Sequence, residues 1–134
     1  MLIPNKYKTI FATCALLAGL SVLLGAFGAH TLSKLISPYK LEVFNKASSY
    51  LMTHSIAVVL FLVLKNTTNL RIELWTIYSM LFGAMIFSFS LYLVSISELQ
   101  NLQALKYFGA IAPVGGSLMI LSWFANFIYI LKSK

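Results

Sequence analysis

Four long apolar runs, at roughly 9–29, 48–64, 74–96 and 107–131, contain no Asp, Glu, Lys or Arg. A bilayer hydrocarbon core about 30 Å thick is crossed by about 17–25 mostly apolar residues in helix. All of the runs reach that length. Hydrocarbon offers the backbone no hydrogen-bond partner, so each run must bond within itself, as a helix does. The chain is therefore expected to be all-α: a four-span transmembrane helix bundle, one integral membrane domain over residues 1–134, with a short amphipathic connection between spans one and two.

Composition agrees. Charged residues are 10% of the chain and hydrophobic residues 60%, against about 25% charged in a soluble domain. The net charge of +7 does not indicate a nucleic-acid partner. The basic residues stand singly at span ends, where lysine stems reach toward lipid phosphates. No basic stripe with interleaved aromatics lies outside the spans. Cys14 stands alone, which excludes an internal disulfide and a multi-cysteine metal site. Inside an apolar helix it behaves as a small hydrophobe. Lys6 and Lys8 before the first run, with small residues at Ala26-Phe27-Gly28-Ala29, imitate a secretion signal. The apolar stretch of about twenty residues exceeds a signal core of about 7–15, so it is expected to stay as a span.

Orientation follows from Lys and Arg in short connections. One side carries Lys6, Lys8, Lys65, Arg71, Lys132 and Lys134; the other carries Lys34, Lys40, Lys46 and Lys106. Six against four places both termini in the cytoplasm. Residues 66–72 form a short polar turn, consistent with an antiparallel hairpin. In the first connection, Ser37 followed by Pro38 signals a helix N-cap and first turn. No Gly or Pro follows until past Lys65. The second helix should start near Pro38 and project beyond the membrane, with Glu42, Lys46, Tyr50 and His54 four apart on one stripe. Leu32, Leu35, Ile36 and Tyr39 are expected in the headgroup layer.

The first span is dense in small residues. Ser21-x-x-x-Gly25-x-x-x-Ala29 lets another backbone approach closely, so this helix should pack against protein. His30 ends the span, and His54 lies toward the same membrane face. The third span approaches that face through Phe87-Ser88-Phe89-Ser90-Leu91-Tyr92. The fourth leaves it through Ala112-Pro113-Val114-Gly115-Gly116. Antiparallel packing collects these atypical segments in one half of the bilayer. The candidate cluster is His30, Tyr50, His54, Ser88, Ser90 and Tyr92, with Gly25, Gly28, Pro113, Gly115 and Gly116 as packing residues.

Three roles compete for the cluster. In the first, Ser and His bond across helices and Pro113 with Gly115 and Gly116 shapes a bend. In the second, His30 and His54 hold a metal or cofactor; two histidines fall short of the four ligands of a closed zinc site, and no metal or cofactor is assigned. In the third, the cluster lines a solute or lipid site. Catalysis has no support: no paired buried carboxylates, nucleophile elbow, metalloprotease helix or phosphate loop is present. Pumps and proton-coupled carriers place charges inside spans, and here only the two histidines could serve.

Gly25-Ala26-Phe27-Gly28-Ala29-His30, the stretch from Lys46-Ala47-Ser48-Ser49-Tyr50 to His54, Phe87-Ser88-x-Ser90-Leu91-Tyr92, and Gly109-Ala110-Ile111-x-Pro113-x-Gly115-Gly116 follow one another here. In that order the chain resembles the YgdD-like small inner-membrane proteins, a family of unknown function, over about residues 9–125. It departs from their pattern at Thr53, Phe89, Ala112 and Ser122. The resemblance implies a four-span bundle in the bacterial plasma membrane and no activity. Together the residues and the resemblance lead to a membrane interaction or scaffold bundle in the lipid bilayer. It is expected to form a homo-oligomer, with no nucleic acid bound and any other protein partner unknown. The alternative is binding or passage of a small ligand, lipid or metal at a His30/His54 cluster.

Overall fold

The computed structural model describes residues 4–133, so Lys134 lies outside the described residues. Four helices carry the fold: α1 at Lys8–His30, α2 at Pro38–Thr67, α3 at Leu74–Ile96 and α4 at Ala112–Leu131. All of them are long and apolar enough to cross a membrane, the last together with the turn that precedes it. The chain is an all-helical, four-span membrane protein.

α2 starts where local chemistry dictates. The extended Ser37 caps it, its hydroxyl accepting from the Lys40 amide at 3.4 Å, and Pro38 occupies the first turn, where its missing N–H costs nothing. With no interior breaker the helix runs 30 residues, about 45 Å. α1 and α2 are joined by one short 3-10 turn, Leu32–Lys34. This connection is amphipathic, but not as expected at every position. Leu35 and Tyr39 face outward, whereas Leu32 and Ile36 are buried within the protein core.

The fourth span also differs from expectation. Gln103–Ala110 is a 3-10 segment with no buried residue, and the α-helix begins only at Ala112. Pro113 explains the break: its ring clashes with the carbonyl four residues earlier, so a regular helix cannot run through from Lys106. Pro113 therefore sits in the first turn of α4 and does not bend it. Asn101, at φ 64°, turns the chain before this segment, in the left-handed region that Asn tolerates.

Successive helices pack in sequence order, α1 on α2, α2 on α3 and α3 on α4. No Cα of α1 lies within 8 Å of one in α3 or α4. The four helices thus form an open array with α1 held by a single helical neighbour. Depth in the bilayer follows from register. A Cβ on Gly28 would meet the Phe44 ring at 3.0 Å and Asn45 Oδ1 at 3.3 Å, so those residues share a level. The apolar run of α1 ends at Ala29, ahead of His30; with the edge of the hydrocarbon set at that residue, it falls near Phe44 on α2. Ser49 then lies about 7.5 Å deep, Thr53 about 13.5 Å and His54 about 15 Å, half of a core about 30 Å thick.

Candidate functional site

The atypical segments meet at two levels, an upper one that involves neither histidine and a deeper one where His54 shares a cleft with Phe87 and Gly116. At the upper level the Phe44 ring fits against Gly28 of α1 and packs on Tyr92 of α3 at 4.8 Å. The Tyr92 hydroxyl bonds Ser48 at 2.9 Å. Ser90 donates to the carbonyl of Phe108, which ties the 3-10 segment to α3. Gly28 is thus a packing glycine. Gly25 is not: a Cβ there would find nothing within 4 Å.

His54 sits ten residues deeper and meets α4 rather than α1 or the Ser88–Tyr92 stretch. Its Nδ1 lies 2.9 Å from the Tyr50 carbonyl, and its Nε2 lies 3.3 Å from Trp123 Nε1. A carbonyl only accepts and an indole only donates. Nε2 therefore accepts from the Trp123 indole, which leaves Nδ1 to donate to the Tyr50 carbonyl. Tyr50 stacks on it at 5.7 Å and also meets Phe87 at 4.9 Å; Trp123 packs in turn on Phe61 at 5.3 Å. A cleft of about 340 Å³, lined by Tyr50, His54, Phe87, Gly116, Met119 and Trp123 among others, opens beside this group.

His30 is exposed at the end of α1, above the level of Phe44. About 15 Å or more of helix rise separates it from His54. The two histidines therefore do not form a pair, and both nitrogens of His54 are already engaged. Among the described residues no three His, Cys, Asp or Glu side chains gather where they could hold a metal ion.

A close helix approach lies at α3/α4. A Cβ on Gly115 would stand 2.5 Å from Phe87 N and 2.6 Å from Gly83 O; one on Gly83 would stand 2.8 Å from Gly115 O. These two glycines form the crossing point, and neither Gly83 nor its role was expected from sequence. Gly116 is unlike them, since a Cβ there meets only the Phe87 ring at 3.7 Å, an ordinary contact. Toward the termini the same seam carries Thr76 and Asn126, whose Oγ1 and Oδ1 lie 2.7 Å apart, with the Glu73 carbonyl 2.8 Å from Thr76 Oγ1. One hydroxyl proton cannot serve both oxygens. Turning the amide over lets Nδ2 donate to Thr76 while Thr76 donates to Glu73, and it is then the Asn126 carbonyl oxygen that takes the buried position without a partner. Ser55, Ser95 and Ser122 each donate to the carbonyl four residues back at 2.7 Å, whereas the buried Ser88 hydroxyl has no partner.

At the membrane surface Glu98 clasps the start of α2. Its carboxylate accepts from Ser37 N at 2.7 Å and from the Ser37 hydroxyl at 2.8 Å. The backbone N–H, then the hydroxyl, hold the Glu98 carboxyl below the usual carboxylate range. Lys40 reaches the Val94 carbonyl at 2.9 Å, a cation placed at the C-terminal end of α3.

One face remains unexplained by these contacts. On α2, Glu42, Lys46, Ser49 and Thr53 are all exposed, the last two at hydrocarbon depth. Beside them a cleft of about 410 Å³ between α1 and α2 is lined by Phe11, Cys14, Ala15, Ala18, Ser55 and Ile56 among others.

Comparison with known proteins adds the family context. The family described as "Protein of unknown function (DUF423)" matches residues 24–116, which takes in His54 and the Gly83–Gly115 crossing but not Trp123. A UPF0382 membrane protein of Staphylococcus saprophyticus is 35% identical over 116 residues, covering 87% of this chain and 91% of that protein. Another, from Staphylococcus epidermidis, is 34% identical over 125 residues, covering 93% and 97%. A third, from Staphylococcus aureus, is 37% identical over 109 residues, covering 81% and 84%. No solved structure matches.

Proposed function

We propose, for a chain that belongs to the DUF423 family of proteins of unknown function, the role of a membrane interaction or scaffold bundle without catalytic activity. The support is the outward face of α2. The exposed residues Ser49 and Thr53 carry hydroxyls at a depth where lipid tails offer no hydrogen-bond partner. A covering protein would supply one. The placement in the bacterial plasma membrane, with both termini in the cytoplasm, is part of the same proposal, as is the resemblance to the YgdD-like inner-membrane proteins. Reporter fusions after Lys134 and within residues 66–71 should read cytoplasmic, and one within 97–106 should not.

The role is tested in intact cells with photo-crosslinking residues at Ser49 and Thr53, and at Phe82 and Phe124 as outward-facing controls. The interaction role predicts discrete protein adducts from the α2 positions only. Lipid adducts alone at every position would refute it.

A second role rests on Gly116. Neither close packing nor backbone conformation requires glycine there, yet the missing side chain keeps the His54–Trp123 cleft open. That favours a small apolar ligand. Gly116→Leu should fill the cleft and leave the fold intact. If the substitution changes no phenotype that deletion of the protein causes, the cleft has no ligand role.

A further inference from the structure

The exposed residues Glu42, Lys46, Ser49, Thr53, Ile56 and Leu60 of α2 are separated by 4, 3, 4, 3 and 4 positions. That alternation is the heptad spacing of a helix seam that meets another helix at about +20°. The upper part of the seam is charged or hydroxylated, and from Ile56 onward it is apolar. The change falls near mid-bilayer, about 13.5–18 Å below the Phe44 level.

We propose that this seam is the contact between two copies of the chain, related by a two-fold axis along the membrane normal. The inference rests on the interaction role proposed above and names its partner. Two copies inserted in the same orientation present each seam residue at the same depth, so an axis along the normal brings like levels together. Ser49 and Thr53 meet hydroxyls of the other copy, and Ile56 and Leu60 meet apolar side chains. A two-fold contact must be self-complementary, and this seam satisfies that condition by depth alone. Glu42 and Lys46 are an ion pair at 2.8 Å within one copy, both more than half exposed. Their opposite charges lie one turn apart, so the pair can exchange partners with its copy without leaving a charge unmatched.

The neighbouring surface fits the same occupant. The cleft between α1 and α2 is lined on the α1 side by the small residues Cys14, Ala15 and Ala18. It is open where a seam residue such as Ile56 of the second copy would enter. The contact would also give α1 a second helical neighbour, where within one copy it has only α2. Lipid is a poorer occupant. Tails bring no partner for the hydroxyls, and a headgroup would have to leave the surface to reach Thr53.

The test uses the purified full chain with Cys14→Ala, reconstituted in phosphatidylethanolamine/phosphatidylglycerol vesicles. Single cysteines are introduced as Ser49→Cys, Thr53→Cys or Ile56→Cys, with Phe82→Cys and Phe124→Cys as controls, and oxidised with copper–phenanthroline. A disulfide needs Cα atoms within about 7 Å, so only seam positions on the axis should give the linked dimer as the dominant product, and the controls should give a trace. Energy transfer between donor- and acceptor-labelled copies, at the control positions, should persist on tenfold dilution with lipid. No linked dimer at any seam position, or equal amounts at seam and control positions, overturns the proposal. So does energy transfer that falls in proportion to dilution. Photo-adducts to a different protein at Ser49 and Thr53, with the purified chain monomeric, would overturn the second copy as partner and leave the interaction role standing.

Discussion

Gly115→Ala should destabilise the protein far more than Gly25→Ala, although both glycines sit among small residues in apolar helices. The difference comes from what a methyl group would meet. At Gly115 the nearest atoms are backbone, Phe87 N at 2.5 Å and Gly83 O at 2.6 Å; ordinary contact begins at 3.4 Å, so α3 and α4 would have to part by about 0.9 Å. A gap of 0.5–1 Å forfeits about a quarter to a half of the dispersion well for each atom pair along the contact. Parting would also strain the Thr76–Asn126 contact on the same seam. Over-packing of this kind costs about 1–3 kcal/mol. At Gly25 nothing lies within 4 Å, and alanine brings only its better helix propensity, up to about 1 kcal/mol. That gain is similar at both sites, so the gap between the two variants should be about 1–3 kcal/mol. Gly83→Ala should behave as Gly115→Ala does. Reversible unfolding by SDS in mixed micelles, followed by Trp fluorescence and circular dichroism, measures the difference. Equal stability of the Gly115 and Gly25 variants would refute the close crossing.

Trp123→Phe removes the indole donor to His54 while keeping an aromatic ring, and should lower stability by about 0.6 kcal/mol, the average for an interhelical bond in a membrane protein; the same unfolding titration checks it. His54→Gln keeps a polar side chain at that position, so it should retain the fold and lose a comparable amount, whereas a free metal-ligand role predicts unchanged stability. For Glu98 the sign is fixed by the carboxylate's role as acceptor. Its folded pKa lies below the ordinary value, so its stabilisation is present above the unfolded pKa and is lost as pH falls through the folded one. Amide exchange at Ser37 should accelerate below the usual carboxylate range relative to neighbouring amides corrected for intrinsic rate, and Glu98→Gln should flatten that change.

The helices were legible because each is decided locally. Uncharged length sets the spans, and Ser37 with Pro38 sets the start of α2. Gly28 was legible for a related reason, since a small residue near a span end asks for a close neighbour. What the pattern could not give was which helix each face meets. His54 was expected to turn toward α1 or α3, yet its partner Trp123 belongs to α4, separated by 69 positions. Gly83 was missed although Ser79-x-x-x-Gly83 is itself a small-xxx-small row, because the row is embedded in an otherwise plain apolar run. Gly25, in a more conspicuous row, contacts nothing within 4 Å. Hydropathy marks the fourth span from about residue 107 but not its helix type, because Pro113 breaks the hydrogen-bond ladder and delays the α-helix to Ala112.

The proposed two-fold contact requires a second copy of the chain, and not lipid, to cover the outward face of α2. Spin labels at Thr53 and Phe124 in lipid vesicles, relaxed in turn by oxygen and by a water-soluble nickel chelate, report on it directly. Protein cover predicts low accessibility to both agents at Thr53 and high oxygen accessibility at Phe124. Oxygen accessibility at Thr53 as high as that at Phe124 would contradict it.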